Sequence, residues 1–200
     1  MQCPDEITDE VLSFSRTISQ ATPVYIESTP LKGKPSRECF PIVAAHVKEF
    51  GGSREIGWSI YIWPKVFIEA ELHAVWIDLE GVRRDIAPHQ WPAKRIMFLP
   101  DQSASYGETH VVKNRRHALN PDSLVKKFID TSDAIYEEEN RGELAKQAHF
   151  DVTPQWLALQ RTKAECQEQL MQKYGIPPGL PVLVPPVSAK LNLTMKPYFQ

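Results

Sequence analysis

Residues 69–88, EAELHAVWIDLEGVRRDIAP, admit few arrangements. Read as a strand, the first half alternates. Ala70, Leu72, Ala74 and Trp76 point to one face, and Glu69, Glu71, His73, Val75 and Ile77 to the other, so the histidine shares a face with carboxylates. Leu79-Glu80-Gly81 then reads as a three-residue hairpin loop with Gly81 where a left-handed backbone is needed, which pairs Asp78 with Val82. In that register Asp85 stands opposite Val75, diagonal to His73 and on its face. A two-residue loop would turn Asp85 to the opposite face, so the pairing of the two side chains depends on how the loop closes.

Around this hairpin the chain predicts an α+β domain, a leading helix followed by an antiparallel sheet of four or five strands. Residues 5–20 place Ile7, Val11, Leu12, Phe14 and Ile18 at helical spacing with acidic residues early, and 23–27 read as a short strand before an exposed basic loop at 31–37. Pro41 suits the first helical position and predicts a helix over 40–50, with Ile42, Val43, Val47 and Phe50 buried and Gly51-Gly52 ending it. Cys39 then sits at the helix mouth, where the dipole favours thiolate over thiol; the plainer alternative is a small buried hydrophobe. Strands are expected at 56–63, 65–78, 82–87, 95–99 and 109–113.

Beyond residue 114 the character changes. Asn114-Arg115-Arg116-His117 reads as a solvated basic cluster, Pro121-Asp122-Ser123 opens a helix carrying Leu124, Val125 and Phe128, and 133–146 reads as an exposed helix weakened by Gly142. Thr153-Pro154 caps a long helix to about Tyr174, whose Trp156, Leu157, Leu159, Leu170 and Met171 are expected to pack on the sheet or on another copy. Cys166 lies within it as a structural residue. The proline-rich, apolar residues 176–200 are too irregular for a core element and too apolar for a solvated tail, so they are expected to cover the chain's own surface or a partner's. The division is thus 1–118 as core, 119–175 as helical extension and 176–200 as tail.

Charge and cysteine usage narrow the function. With 23 basic and 25 acidic residues the formal net charge is -2, which argues against nucleic-acid and membrane-surface binding. Cys3, Cys39 and Cys166 form no CxxC pair and are odd in number, so the expected setting is a reducing cytoplasm, without a disulfide framework or a cysteine-rich zinc site. No apolar run has the length of a membrane span. No glycine-rich phosphate loop is present and no organic cofactor is expected.

Cysteine at a helix start, then His73-Ala74-Val75-Trp76, then a hairpin and Asp85-Ile86-Ala87-Pro88 resembles the core of the transglutaminase-like branch of papain-like cysteine enzymes, over about a quarter of the chain. The run from EAELHAVW through DIAP to FLPD also resembles a recurrent core of uncharacterised bacterial and phage proteins. The first resemblance implies Cys39 as nucleophile, His73 as its base and Asp85 as the residue orienting the imidazole. The substrate would be a peptide, a protein or a small amide or thioester. Departures are Phe40 and Pro41 where the family carries a small residue and a nearby tryptophan, and a short hairpin. Trp58, Trp63 and Gln90 are candidates to line the site, spacing alone not choosing among them, and His89-Gln90-Trp91-Pro92 reads as a rigid, aromatic connection suited to line a cleft. Two other readings stand beside this one. One is a metal site from Glu69, Glu71 and His73 completed by His89 or His110. The other is a non-catalytic binding module in which His73 and Asp85 only satisfy each other, with the C-terminal tail docking a partner or a second copy.

Overall fold

The computed structural model describes residues 1–89, 93–107, 112–142 and 152–177. Four helices and six strands follow in the order α1 (Asp9–Arg16), β1 (Val24–Glu27), α2 (Cys39–Phe50), β2 (Ser53–Trp63), β3 (Phe67–Ile77), β4 (Arg83–Arg84), β5 (Arg95–Pro100), β6 (Arg115–Ala118), α3 (Ser123–Glu139) and α4 (Pro154–Tyr174). The class is α+β, and every ladder of the sheet is antiparallel.

The sheet runs β1-β5-β2-β3-β4, with β6 on the same edge of β3 as β4. β2 and β3 pair along their whole length, from Ser53 with Ile77 to Trp63 with Phe67. They are joined by a proline-led turn in which the Val66 N–H donates to the Trp63 carbonyl over 2.9 Å and Lys65 takes a left-handed φ of 66°. On its outer edge β3 meets β6 at residues 67–70 and β4 at residues 76–77. His73 lies in the interval between them. Just past β4, Asp85 makes a parallel bridge to Ser28 at the end of β1. The two ends of the sheet therefore meet, and the sheet nearly closes on itself.

The closure explains why both faces of β3 are covered. Ile68, Ala70, Leu72 and Ala74 join Trp58, Ile60, Met97 and Leu99 under α1 and α2, which contribute Val11, Phe14, Phe40 and Val43. On the other face Val75 packs with Ile26, Ile96 and Phe98, while Phe67 and Trp63 meet Val125, Phe128, Cys166 and Leu170 of α3 and α4. Pro41 falls in the first turn of α2, which starts at Cys39, one residue earlier than expected. A proline there forfeits no helical hydrogen bond.

Several expectations need correction. Phe50 is 52% exposed, because it falls on the solvent side of the last turn of α2, its ring tilted against His46. The strand expected at 109–113 partly lies outside the described residues, and the ladder partner of β3 is instead Arg115–Ala118. The basic cluster is thus a strand, with Arg116 inserted between Glu69 of β3 at 2.5 Å and Asp133 of α3 at 3.3 Å. Residues 133–139 continue α3 without a break and bury Ile135 and Glu138. Leu157 of α4 is exposed, and Leu170 and Cys166 form its contact face. Residues 178–200, which hold nearly all of the tail expected to cover a surface, lie outside the described residues. No described helix is long and apolar enough to cross a membrane.

Candidate active site

The hairpin closes through the three-residue loop. Gly81 takes φ 81°, the Asp78 N–H donates to the Val82 carbonyl over 3.0 Å, and Asp78 Oδ1 accepts from the N–H groups of Glu80 at 3.0 Å and Val82 at 2.8 Å. This fixes Arg84 opposite Trp76, and Asp85 follows on the His73 face. His73 Nε2 lies 2.9 Å from Asp85 Oδ1, with the histidine 7% exposed and the aspartate fully buried.

Asp85 is held from several sides. Its N–H donates to the Glu27 carbonyl over 3.2 Å and its carbonyl accepts from the Thr29 N–H over 2.8 Å. Its second carboxylate oxygen, Oδ2, lies 2.5 Å from Nε2 of His89. The sequence reading placed His89 in a cleft-lining connection and missed this bond. The spacing of four from Asp85 lies outside any helix or strand and carried no periodic signal for it.

Burial works against a charged imidazole at His73. The hydrogen bonds to Asp85 and Cys39, together with their negative charge, outweigh it and push the His73 pKa up to about 10. At Asp85 burial works to raise the pKa, and the hydrogen bonds and charge of His73 and His89 prevail, holding the carboxyl well below the usual carboxylate range. The arrangement is that of an imidazolium held against a buried carboxylate.

Cys39 occupies the first position of α2, 7% exposed, close enough to His73 for its thiol to act on the imidazole. Since Nε2 of His73 faces Asp85, Nδ1 is the ring nitrogen left for sulfur. The preceding residue, Glu38, makes no side-chain cap, so the first N–H groups of α2, that of Cys39 among them, receive nothing from the usual capping position. Two residues before the cysteine, Arg37 holds a left-handed φ of 70°. That conformation costs a residue with a side chain about 1 kcal/mol or more, and it swings the basic loop into the helix.

The structure brings Cys39, His73 and Asp85 together and places Trp58 and Trp63 in core clusters. Trp58 is buried in the core under the helices, its Nε1–H donating to Asp101 Oδ2 over 2.9 Å. Trp63 belongs to the cluster beneath α3 and α4 and packs edge-on against Phe67. Gln90 lies outside the described residues. The aromatic beside the cysteine is Phe40, stacked on Tyr106, which is 46% exposed. A cleft of about 330 Å³ between β1 and the hairpin, lined by Tyr25, Glu27, Arg83 and Arg84, takes in none of the three residues.

Of the carboxylates that share the His73 face, Glu69 is taken by Arg116 and by the Asn114 amide at 2.9 Å, and Glu71, an exposed residue, interacts with His73 and His89 through its charge but lies outside their cluster with Asp85. His110 lies outside the described residues. Compared with protein-family models, curated proteins and solved structures, the chain finds no match in any of the three.

Proposed function

We propose that the chain is a thiol-dependent acyl-transfer enzyme with a papain-like, transglutaminase-like arrangement, acting on an amide or thioester of a peptide, a protein or a small molecule. The observation that carries this reading is the buried His73–Asp85 pair with Cys39 beside it at the start of α2. In the reaction the Cys39 sulfur attacks the substrate carbonyl carbon. An S–C bond forms, the tetrahedral oxyanion collapses, and the C–N or C–S bond to the leaving group breaks as His73 delivers its proton to that group. Water or an amine then attacks the acyl-cysteine, gives its proton to His73 and releases the thiolate. Asp85 holds the ring with Nδ1 toward sulfur and balances the imidazolium charge. The uncapped N–H of Cys39 is the donor available to the oxyanion.

The rival reading, a binding module with a satisfied but idle histidine, draws support from the 7% exposure of Cys39. Intact-mass measurement after incubation with p-nitrophenyl acetate and with a small aryl thioester separates the two. The enzyme reading expects a single acetyl or acyl adduct on Cys39, absent in Cys39→Ser and formed at least about a hundredfold more slowly in His73→Ala, as loss of a general base requires. Equal labelling of Cys3, Cys39 and Cys166 contradicts it.

A further inference from the structure

His89 is more than a triad needs. One imidazole is enough to use an aspartate as an orienting group, yet both oxygens of Asp85 are engaged, each by the Nε2 of a different histidine. The three residues are set firmly: His73 within the paired length of β3, Asp85 by two backbone hydrogen bonds to β1 and the segment after it, and His89 four residues further along. The two rings tilt by 32° with their centroids 5.3 Å apart. One ligating atom from each of His73, Asp85 and His89 lies within 4.8 Å of the others. Around a single zinc ion, with metal–ligand bonds of about 2.0–2.2 Å, neighbouring donor atoms stand about 3–3.5 Å apart, so small side-chain rotations would seat all three.

We propose that His73, Asp85 and His89 form a binding site for a divalent first-row transition ion, and that the ion switches the thiol centre off. Two imidazole nitrogens and one carboxylate suit Zn²⁺ or Fe²⁺, and do not suit Mg²⁺, which prefers oxygen ligands. The set differs from the carboxylate-rich face that the sequence suggested, because Glu69 and Glu71 take no part. The inhibitory effect follows from the histidine's two nitrogens. A His73 bound to the ion through Nε2 gives up the hydrogen bond by which Asp85 orients the ring and keeps a single proton, on Nδ1; it cannot gain a second, so it cannot pass between imidazole and imidazolium as acyl transfer requires. Metal occupancy leaves the Cys39 sulfur without an acid–base partner. The site itself stands independently of the acyl-transfer reading; only its effect on Cys39 rests on that reading.

The test uses the full chain, stripped with EDTA, desalted and titrated with zinc chloride. Native mass spectrometry gives the stoichiometry, and competition with a chromophoric chelator gives the affinity. The decisive variant is His89→Gln, whose amide still donates to Asp85 but whose side chain is a poor zinc ligand; circular dichroism verifies its fold, and Asp85→Asn serves as the second variant. The expected result is one zinc per chain in the wild type and in Cys39→Ser, an affinity at least about tenfold lower in His89→Gln, the loss found even for residues one step removed from a metal, and no binding of magnesium. Zinc should also slow turnover of the aryl thioester by the wild type, with recovery on adding EDTA, and should not change the turnover of His89→Gln. Absence of retained zinc, or retention undiminished in His89→Gln and Asp85→Asn, overturns the site. A chain that binds zinc but whose Cys39 is inert even after stripping with EDTA upholds the site and removes the acyl-transfer reading, whereas a reactive Cys39 without zinc binding does the reverse.

Discussion

Asp85 is the residue on which the most depends. Buried, charged and shared by two histidines, it is tolerable only because its partners compensate for lost hydration; removing it leaves His73 a buried cation without its counter-ion. Asp85→Ala is expected to destabilise the fold by about 3–5 kcal/mol, the range for breaking a buried pair by deleting one partner, and urea unfolding at neutral pH measures it. The pH dependence has a definite sign. His73 has its pKa raised on folding, so its contribution is complete below the unfolded value of about 6.5 and is lost as pH rises through about 10. Asp85 has its pKa lowered, so its contribution is present above the unfolded value and lost as acid reaches the lower folded one. Unfolding free energy that falls between pH 7 and pH 10 in the wild type, and falls less in His73→Gln, is the expected outcome. The contact of His73 with Asp85 was legible at this scale because a period of two and one glycine determine it. The second imidazole on Asp85 was not, because a spacing of four outside a helix carries no periodic signal.

Among the elements, the β2–β3 pair positions the centre, and a glycine permits it. Gly57 stands opposite His73, and a Cβ there would meet the Leu99 carbonyl oxygen at 2.3 Å and the Phe98 ring at 2.6 Å. β5 approaches β2 that closely only because position 57 is bare. Gly57→Ala should cost about 1–3 kcal/mol through overpacking, read as a lower denaturation midpoint, and should also slow the reaction of Cys39 because His73 moves with the ladder. Where strands and helices follow local rules, the sequence was sufficient: Thr153 accepts from the Trp156 N–H at the start of α4, and Gly51 closes α2 with its N–H on the Val47 carbonyl. Where a tertiary partner decides, it was not. Arg115, Arg116 and His117 look solvated in isolation, yet Arg116 is the counter-charge that lets Glu69 lie buried in β3, and the presence of β6 follows from that ion pair and not from any propensity.

At the scale of the molecule, the centre exists because the sheet nearly closes. The bridge between Ser28 and Asp85 joins the exit of β1 to the exit of the hairpin, and α2 lies against β3 through Trp76, whose Nε1–H donates to the Gly51 carbonyl over 2.9 Å. Helix start, strand centre and hairpin exit, distant in the chain, thereby meet at Cys39, His73 and Asp85. The α+β class was readable from the alternation of faces and the order of elements. The closure was not, since it depends on a bridge of one residue pair 57 positions apart and leaves no periodicity behind. α3 and α4 add a second core around Phe67 and Phe128, whose ring centroids are 5.4 Å apart, beyond the contacts that make the site.

The proposed thiol–imidazole pair of Cys39 and His73 is tested by the rate of alkylation of each cysteine by iodoacetamide between pH 5 and pH 10, read by mass spectrometry in the wild type and in His73→Ala. Cys39, although almost buried, is expected to react fastest at neutral pH and to lose that advantage when His73 is removed, its rate then rising only near the ordinary thiol range of about 8.5. A Cys39 that is inert, or that titrates like Cys3 and Cys166 whether or not His73 is present, would contradict it.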